Sequence, residues 1–133
     1  MNVLISIKPE FVEKIISHEK RYEFRRRIFK KEVKNVIIYS TAPSKKIVGY
    51  FELEGIIKDS PKNLWNFCSD FAGINEKDFF NYFEGLSKGF ALKIGHLELF
   101  ENFVDVDSLE GFSAPQSFKY LDDASFDKLI SLV

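Results

Sequence analysis

Cysteine, methionine and tryptophan each occur once in this 133-residue chain, and histidine only twice. A single thiol, Cys68, excludes an intrachain disulfide and any multi-thiolate metal cage. His18 and His96 lie far apart, with no zinc-type ligand spacing around them, so neither a metal site nor a cofactor is expected. No phosphate loop, dinucleotide fingerprint or nucleophile elbow is present. No apolar run approaches the roughly 20 residues needed to cross a membrane. The first residues pass directly into a strand pattern and not into a leader. The expected compartment is the cytoplasm, with no membrane partner.

What is abundant is phenylalanine, with 15 copies in a chain that is 45% hydrophobic. Each large ring removes roughly 150–250 Å² from water, enough for a core without covalent staples. The length suits one domain spanning residues 1–133. The net charge of −1 conceals an asymmetry. Residues 1–50 hold twelve Lys/Arg against five Glu, whereas residues 51–133 hold seven Lys against fifteen Asp/Glu. Such a chain can turn one basic face to a polyanion, or its two halves can simply attract each other.

The order of elements follows from periodicity. Asn2 to Ile7 reads as a strand, and Pro9 opens a helix running to about His18, with Phe11, Val12, Ile15 and Ile16 on its buried face. From Arg21 the period changes to two: Tyr22 and Phe24 face one way, and Arg21, Glu23 and Arg25 the other. Val36 to Tyr39 is a strand. Ile47 to Ile57 is a longer one, in which Ile47, Gly49, Phe51, Leu53, Gly55 and Ile57 share a face. Ser60-Pro61 caps a helix carrying Leu64, Trp65, Cys68 and Phe71. Asn75 caps another, which buries Phe79, Phe80 and Phe83 and stops at Gly85. Phe90 to Phe100 is a strand pair or one bent strand, and Phe103 to Val106 is a separate short piece. Gly111 to Ser117 is a loop, and Asp123 to Leu132 a closing helix. Five or six strands with three or four helices in this mixed order indicate an α+β fold, a small barrel with packed helices. In that fold Cys68 is a buried, inert hydrophobe.

The segment His18 to Arg27 places six basic residues, His18 included, and two acids at a helix-to-strand junction. Glu23 falls between Arg21 and Arg25 on one strand face. There it can orient an arginine fork toward a phosphate or a base edge. Next to Lys20, the same carboxylate can instead act as a general base. The plain structural alternative is a solvated face of weak ion pairs.

Together, Ile5-Ser6-Ile7-Lys8-Pro9 and Ile15 through Arg25 resemble the opening of an ASCH domain, a branch of the PUA-like superfamily. Its signature is G-x-K-x-x-E-x-R. Lys20, Glu23 and Arg25 match, and His18 replaces the glycine. The resemblance continues through Trp65, Tyr82-Phe83-Glu84-Gly85, Phe90 to Ile94 and Ala114 to Phe118, nearly the whole chain. It implies a small PUA-like β-barrel with a cleft beside the first helix. The leading expectation is a binding module for RNA or a modified-base nucleotide. Lys20 and Glu23 would lie in the cleft, with Arg25, Arg26, Arg27 and Lys30 meeting phosphate, and Tyr22 or Tyr39 could stack on a base. A second expectation is an amidohydrolase of an N-acylated cytidine, with Lys20 and Glu23 catalytic. In that enzyme subgroup a threonine aligns with Glu23, so its role is vacant or altered here. A third is a non-catalytic protein-interaction or regulatory domain.

Overall fold

A computed structural model describes residues 1–133. Six strands form one sheet: β1 (Asn2–Ile7), β2 (Tyr22–Arg25), β3 (Asn35–Ser40), β4 (Lys46–Asp59), β5 (Gly89–Asp105) and β6 (Phe118–Leu121). Four helices accompany them: α1 (Pro9–Ile16), α2 (Pro61–Cys68), α3 (Glu76–Tyr82) and α4 (Asp123–Ile130). The order across the sheet is β2-β5-β4-β3-β1-β6, and only the β1–β3 pair is parallel. The sheet curls into a half-barrel whose edges, β2 and β6, approach each other across a seam. The Arg25 side chain reaches over it from β2 to Ser6 and Ser117, which are themselves joined by the Ser6 N–H donating to the Ser117 carbonyl (3.1 Å) as the β1–β6 pairing continues.

Three apolar clusters hold this shape. Val3, Ile5 and Ile7 of β1 join Val12 and Ile15 of α1, Val36 and Ile38 of β3, and Phe51. Leu4 and Ile37, on the opposite face of the same strands, pack with Phe100 and Leu129. Because β1 and β3 are covered on both faces, their centres, Val3-Leu4-Ile5 and Val36-Ile37-Ile38, are apolar without alternation. In the third cluster, Phe24, Leu64, Cys68, Phe79 and Phe83 fasten α2 and α3 beneath β2.

The expected helix starts hold. Ser60 accepts from the Asn63 N–H, and Asn75 and Asp78 bond each other reciprocally. Other expectations need correction. Register shifts interrupt β4, so Ile47, Phe51 and Ile57 reach three different clusters instead of sharing a face. Gly49 serves a close approach: a Cβ there would run into the Glu98 carbonyl. Phe90 to Phe100 and Phe103 to Val106 are not separate pieces, because β5 is continuous to Asp105. The strand β6 was not expected.

Candidate nucleic-acid site at the barrel seam

The turn from α1 into β2 places the signature residues. Helix α1 ends at Ile16, two residues before the expected His18, and His18 adopts φ 65°, the conformation a glycine would occupy freely. The Lys20 N–H then returns to the Lys14 carbonyl (3.0 Å), and the Arg21 N–H bonds the Phe71 carbonyl (2.8 Å). Gly73, at φ 65°, lies directly on the Lys20 stem, where a Cβ would overlap the lysine's own carbons. That close packing brings the Ala72 carbonyl within 2.7 Å of Lys20 Nζ.

Lys20 is therefore only 3% exposed. Its ammonium has one short acceptor, Ala72, and lies over the rings of Phe24 (4.7 Å) and Phe11 (5.3 Å). Glu23 Oε1 is 3.9 Å away, attractive but beyond hydrogen-bonding distance. Burial pushes the Lys20 pKa down to about 8. The Glu23 carboxylate opposes that shift, and Lys14 and Arg25 reinforce it.

Glu23 and Arg25 share the other face of β2, as the alternation predicts, but that face is not open to solvent. Glu23 is buried and Arg25 half-buried. Arg25 Nη2 donates to Glu23 Oε2 (2.7 Å) and, across the seam, to the Ser6 carbonyl (2.8 Å). Its Nη1 makes a long 3.4 Å contact with Ser117 Oγ, and its buried Nε has no partner. The group holds two basic side chains for one carboxylate, with donors to spare. Such an arrangement accepts an anion.

Two cavities flank the α1–β2 turn. One, of about 230 Å³, is lined by His18, Lys20, Arg21 and Glu54, and is smaller than the roughly 300–1,000 Å³ of ligand pockets. The other, of about 510 Å³, lies against Lys14, His18, Glu19, Asp70 and Phe71. Glu23 and Arg25 line neither, so Lys20 is the link between the first cavity and the seam.

The remaining candidates separate by exposure. Arg26, Arg27 and Lys30 are exposed on the β2–β3 loop. Tyr39 cannot stack on an incoming base, because it is buried against Phe112. Tyr22 is half-buried against the third cluster. Phe71, expected on a buried helix face, lies in a 3-10 turn beneath the Arg21 guanidinium (4.4 Å). Cys68 is buried as expected, and burial pushes its thiol up to about 11. The seam also recruits Tyr82, which is 37% exposed and donates its hydroxyl to the Phe24 carbonyl (3.1 Å), together with Ser6 and Ser117. Local pattern gave no sign of these three, because the seam joins segments separated by up to 111 positions.

The fold and this motif have counterparts among known proteins. No family model matches the chain. It is, however, 33% identical over 134 residues to an ASCH domain-containing ribonuclease of Zymomonas mobilis, covering 97% of this chain and 90% of that protein. The crystal structure of ASCH from Zymomonas mobilis superposes with a TM-score of 0.90 at 32% identity, covering 98% of this chain and 94% of that one. The chain belongs to the ASCH domain family. It is also 28% identical over 120 residues to part of the large ribosomal subunit protein uL22 of Ureaplasma parvum, spanning 90% of this chain but 39% of that protein.

Proposed function

We propose that this protein acts on RNA at the seam and cleaves its phosphodiester backbone there. The observation that carries the reading is the Lys20–Glu23–Arg25 group. It combines a buried lysine whose pKa lies near neutrality with an arginine holding unused donors, in a chain one-third identical to a relative named a ribonuclease. The permanently charged Arg25 receives the phosphate, whose oxygens take up Nε and the donor now in the long contact with Ser117. Glu23 orients the guanidinium through the 2.7 Å bond. With a pKa of about 8, roughly a tenth of Lys20 is neutral at pH 7, enough for a general base.

In the proposed step the Lys20 lone pair takes the proton of a ribose 2′-hydroxyl. The 2′-oxygen bonds to phosphorus, the bond from phosphorus to the 5′-oxygen breaks, and the departing oxygen takes a proton from water. The products are a 2′,3′-cyclic phosphate and a 5′-hydroxyl. Arg25 offsets the charge that accumulates on the phosphoryl oxygens. The chemistry requires the 2′-hydroxyl, so DNA is a ligand and not a substrate.

The test incubates the protein with an end-labelled single-stranded RNA, the same sequence as DNA, and N4-acetylcytidine. RNA cleavage with cyclic-phosphate ends, lowered about 10²–10⁴-fold by Lys20→Met, is expected. Salt-dependent RNA binding without cleavage would reduce the protein to a binding module. Turnover of the acylated nucleoside alone would assign the same residues to amide hydrolysis. Failure to bind or convert any of the three would overturn the reading.

A further inference from the structure

The loop between β2 and β3 runs from one edge of the half-barrel across to the other. It leaves β2 at Arg25, and the main-chain N–H groups of Lys30 and Lys31 then donate to the Tyr120 hydroxyl on β6 (2.8 and 3.2 Å). The Lys34 N–H bonds the Met1 carbonyl (2.9 Å) before β3 begins. Phe29 and Val33 are buried in the first cluster, with Phe29 set edge-on to Phe118. The loop is thus a strap over one end of the seam, fixed by two buried apolar side chains and by the phenol of Tyr120 on β6.

Its outer surface differs from the rest of the molecule in how densely it gathers cations. Lys46 and Lys93 have acidic partners in Asp105 and Glu54, and other exposed lysines such as Lys58, Lys62 and Lys77 stand singly along the chain. On the strap, Arg26, Arg27, Lys30, Lys31 and Lys34 are all exposed, and none forms an ion pair. Its one acid, Glu32, pairs with none of them. Five unpaired cations on one anchored loop repel each other, and a polyanion relieves that repulsion.

We propose that the strap is a preformed track for the phosphates of single-stranded RNA, leading the strand into the seam, with Tyr120 as the positioning residue that sets its shape. The inference rests on the RNA-directed reading above and adds the form of RNA. A duplex can lie on the strap, but its paired and stacked nucleotides cannot bring a ribose to Glu23 and Lys20, which are both buried. A single strand, with rotatable bonds on each side of every phosphate, can touch the strap and enter the seam together.

The test measures binding of a fluorescent 12-nucleotide single-stranded RNA, and of the same sequence as duplex, across a salt series. The proteins are the parent, Lys30→Ala/Lys31→Ala, Arg26→Gln/Arg27→Gln and Tyr120→Phe, each checked for an unchanged fold by circular dichroism. Each charge pair should weaken the single strand about tenfold at low salt. It should also flatten the slope of log affinity against log salt by about 1.4, since each neutralised phosphate contributes about 0.7 for single strands. Tyr120→Phe keeps every charge and the ring but releases both N–H groups. It should weaken binding about threefold, leave the slope unchanged and speed hydrogen exchange at Lys30 and Lys31. If both charge pairs match a parent that binds RNA in a salt-dependent way, the strap falls and the seam reading stands. If Tyr120→Phe binds like the parent, the preformed shape is wrong. Equal loss for duplex and single strand would overturn the single-strand assignment. A parent that binds no RNA overturns both proposals.

Discussion

The two faces of β2 are both buried, and they are built from opposite materials. On one, Phe24 meets Phe79 edge to face at 4.9 Å and Phe83 at 6.3 Å, in a cluster that also holds Leu64 and Cys68. On the other, Glu23 and Arg25 face a seam with an unmet donor and a lysine held at 3.9 Å. The aromatic face gains from burial at every contact. The charged face loses hydration at every group, and attraction in the interior only partly offsets that cost. Four residues of strand therefore carry an apolar anchor on one side and a charged group on the other.

The sharpest way to break this contrast is to remove the carboxylate. Glu23→Gln leaves the buried Lys20 and the half-buried Arg25 with no counter-charge, and the expected loss is about 3–5 kcal/mol by chemical denaturation. Adding Lys20→Met should restore part of that loss, because one buried charge then disappears. A double-mutant cycle giving strictly additive effects would show that the two residues do not interact.

The second expected effect arises from Lys20 itself. Its folded pKa of about 8 lies below its ordinary 10.5. Below pH 8 both folded and unfolded states carry the proton, and the folded state bears the full cost of burying it. Between about 8 and 10.5 the folded state releases the proton first. Stability should therefore rise with pH across that window, by about 3 kcal/mol relative to Lys20→Met. The variant is the necessary reference, because Cys68, pushed up to about 11, acts in the opposite direction above pH 9. Parallel stability curves for parent and variant would mean that Lys20 is not desolvated in the folded state.

On the aromatic face, Phe79→Leu should cost about 1–3 kcal/mol while leaving activity per folded molecule unchanged. A fall in kcat at constant folded fraction would show that the faces are coupled. The smallest effect belongs to Tyr82→Phe. Losing the bond to the Phe24 carbonyl should cost about 0.5–1.5 kcal/mol, measured as a shift in the denaturation midpoint.

These contrasts were legible in the sequence to different depths. The alternation of Tyr22, Glu23, Phe24 and Arg25 separated the faces correctly, because a strand of that length has no room for a bulge. The same rule failed over β4, where register shifts send Ile47, Phe51 and Ile57 to different clusters. The G-x-K-x-x-E-x-R pattern located the charged group and the positive-φ position that His18 fills. Burial of that group was not legible. It depends on Gly73 closing over Lys20 and on Ser6 and Ser117 arriving from β1 and the segment before β6. Strand β6 escaped because Phe118 to Leu121 is short and gains its partner, β1, only through the fold.

The account depends most on Lys20 acting as a proton acceptor that burial has tuned, and the pH dependence of RNA cleavage tests that directly. For the parent, log(kcat/KM) on a defined single-stranded RNA should rise about one unit per pH unit from pH 5.5 and level off near pH 8. Lys20→Met should lower the rate and abolish that break. A profile whose break survives the substitution, or cleavage that is flat across this range in the parent, would contradict the account.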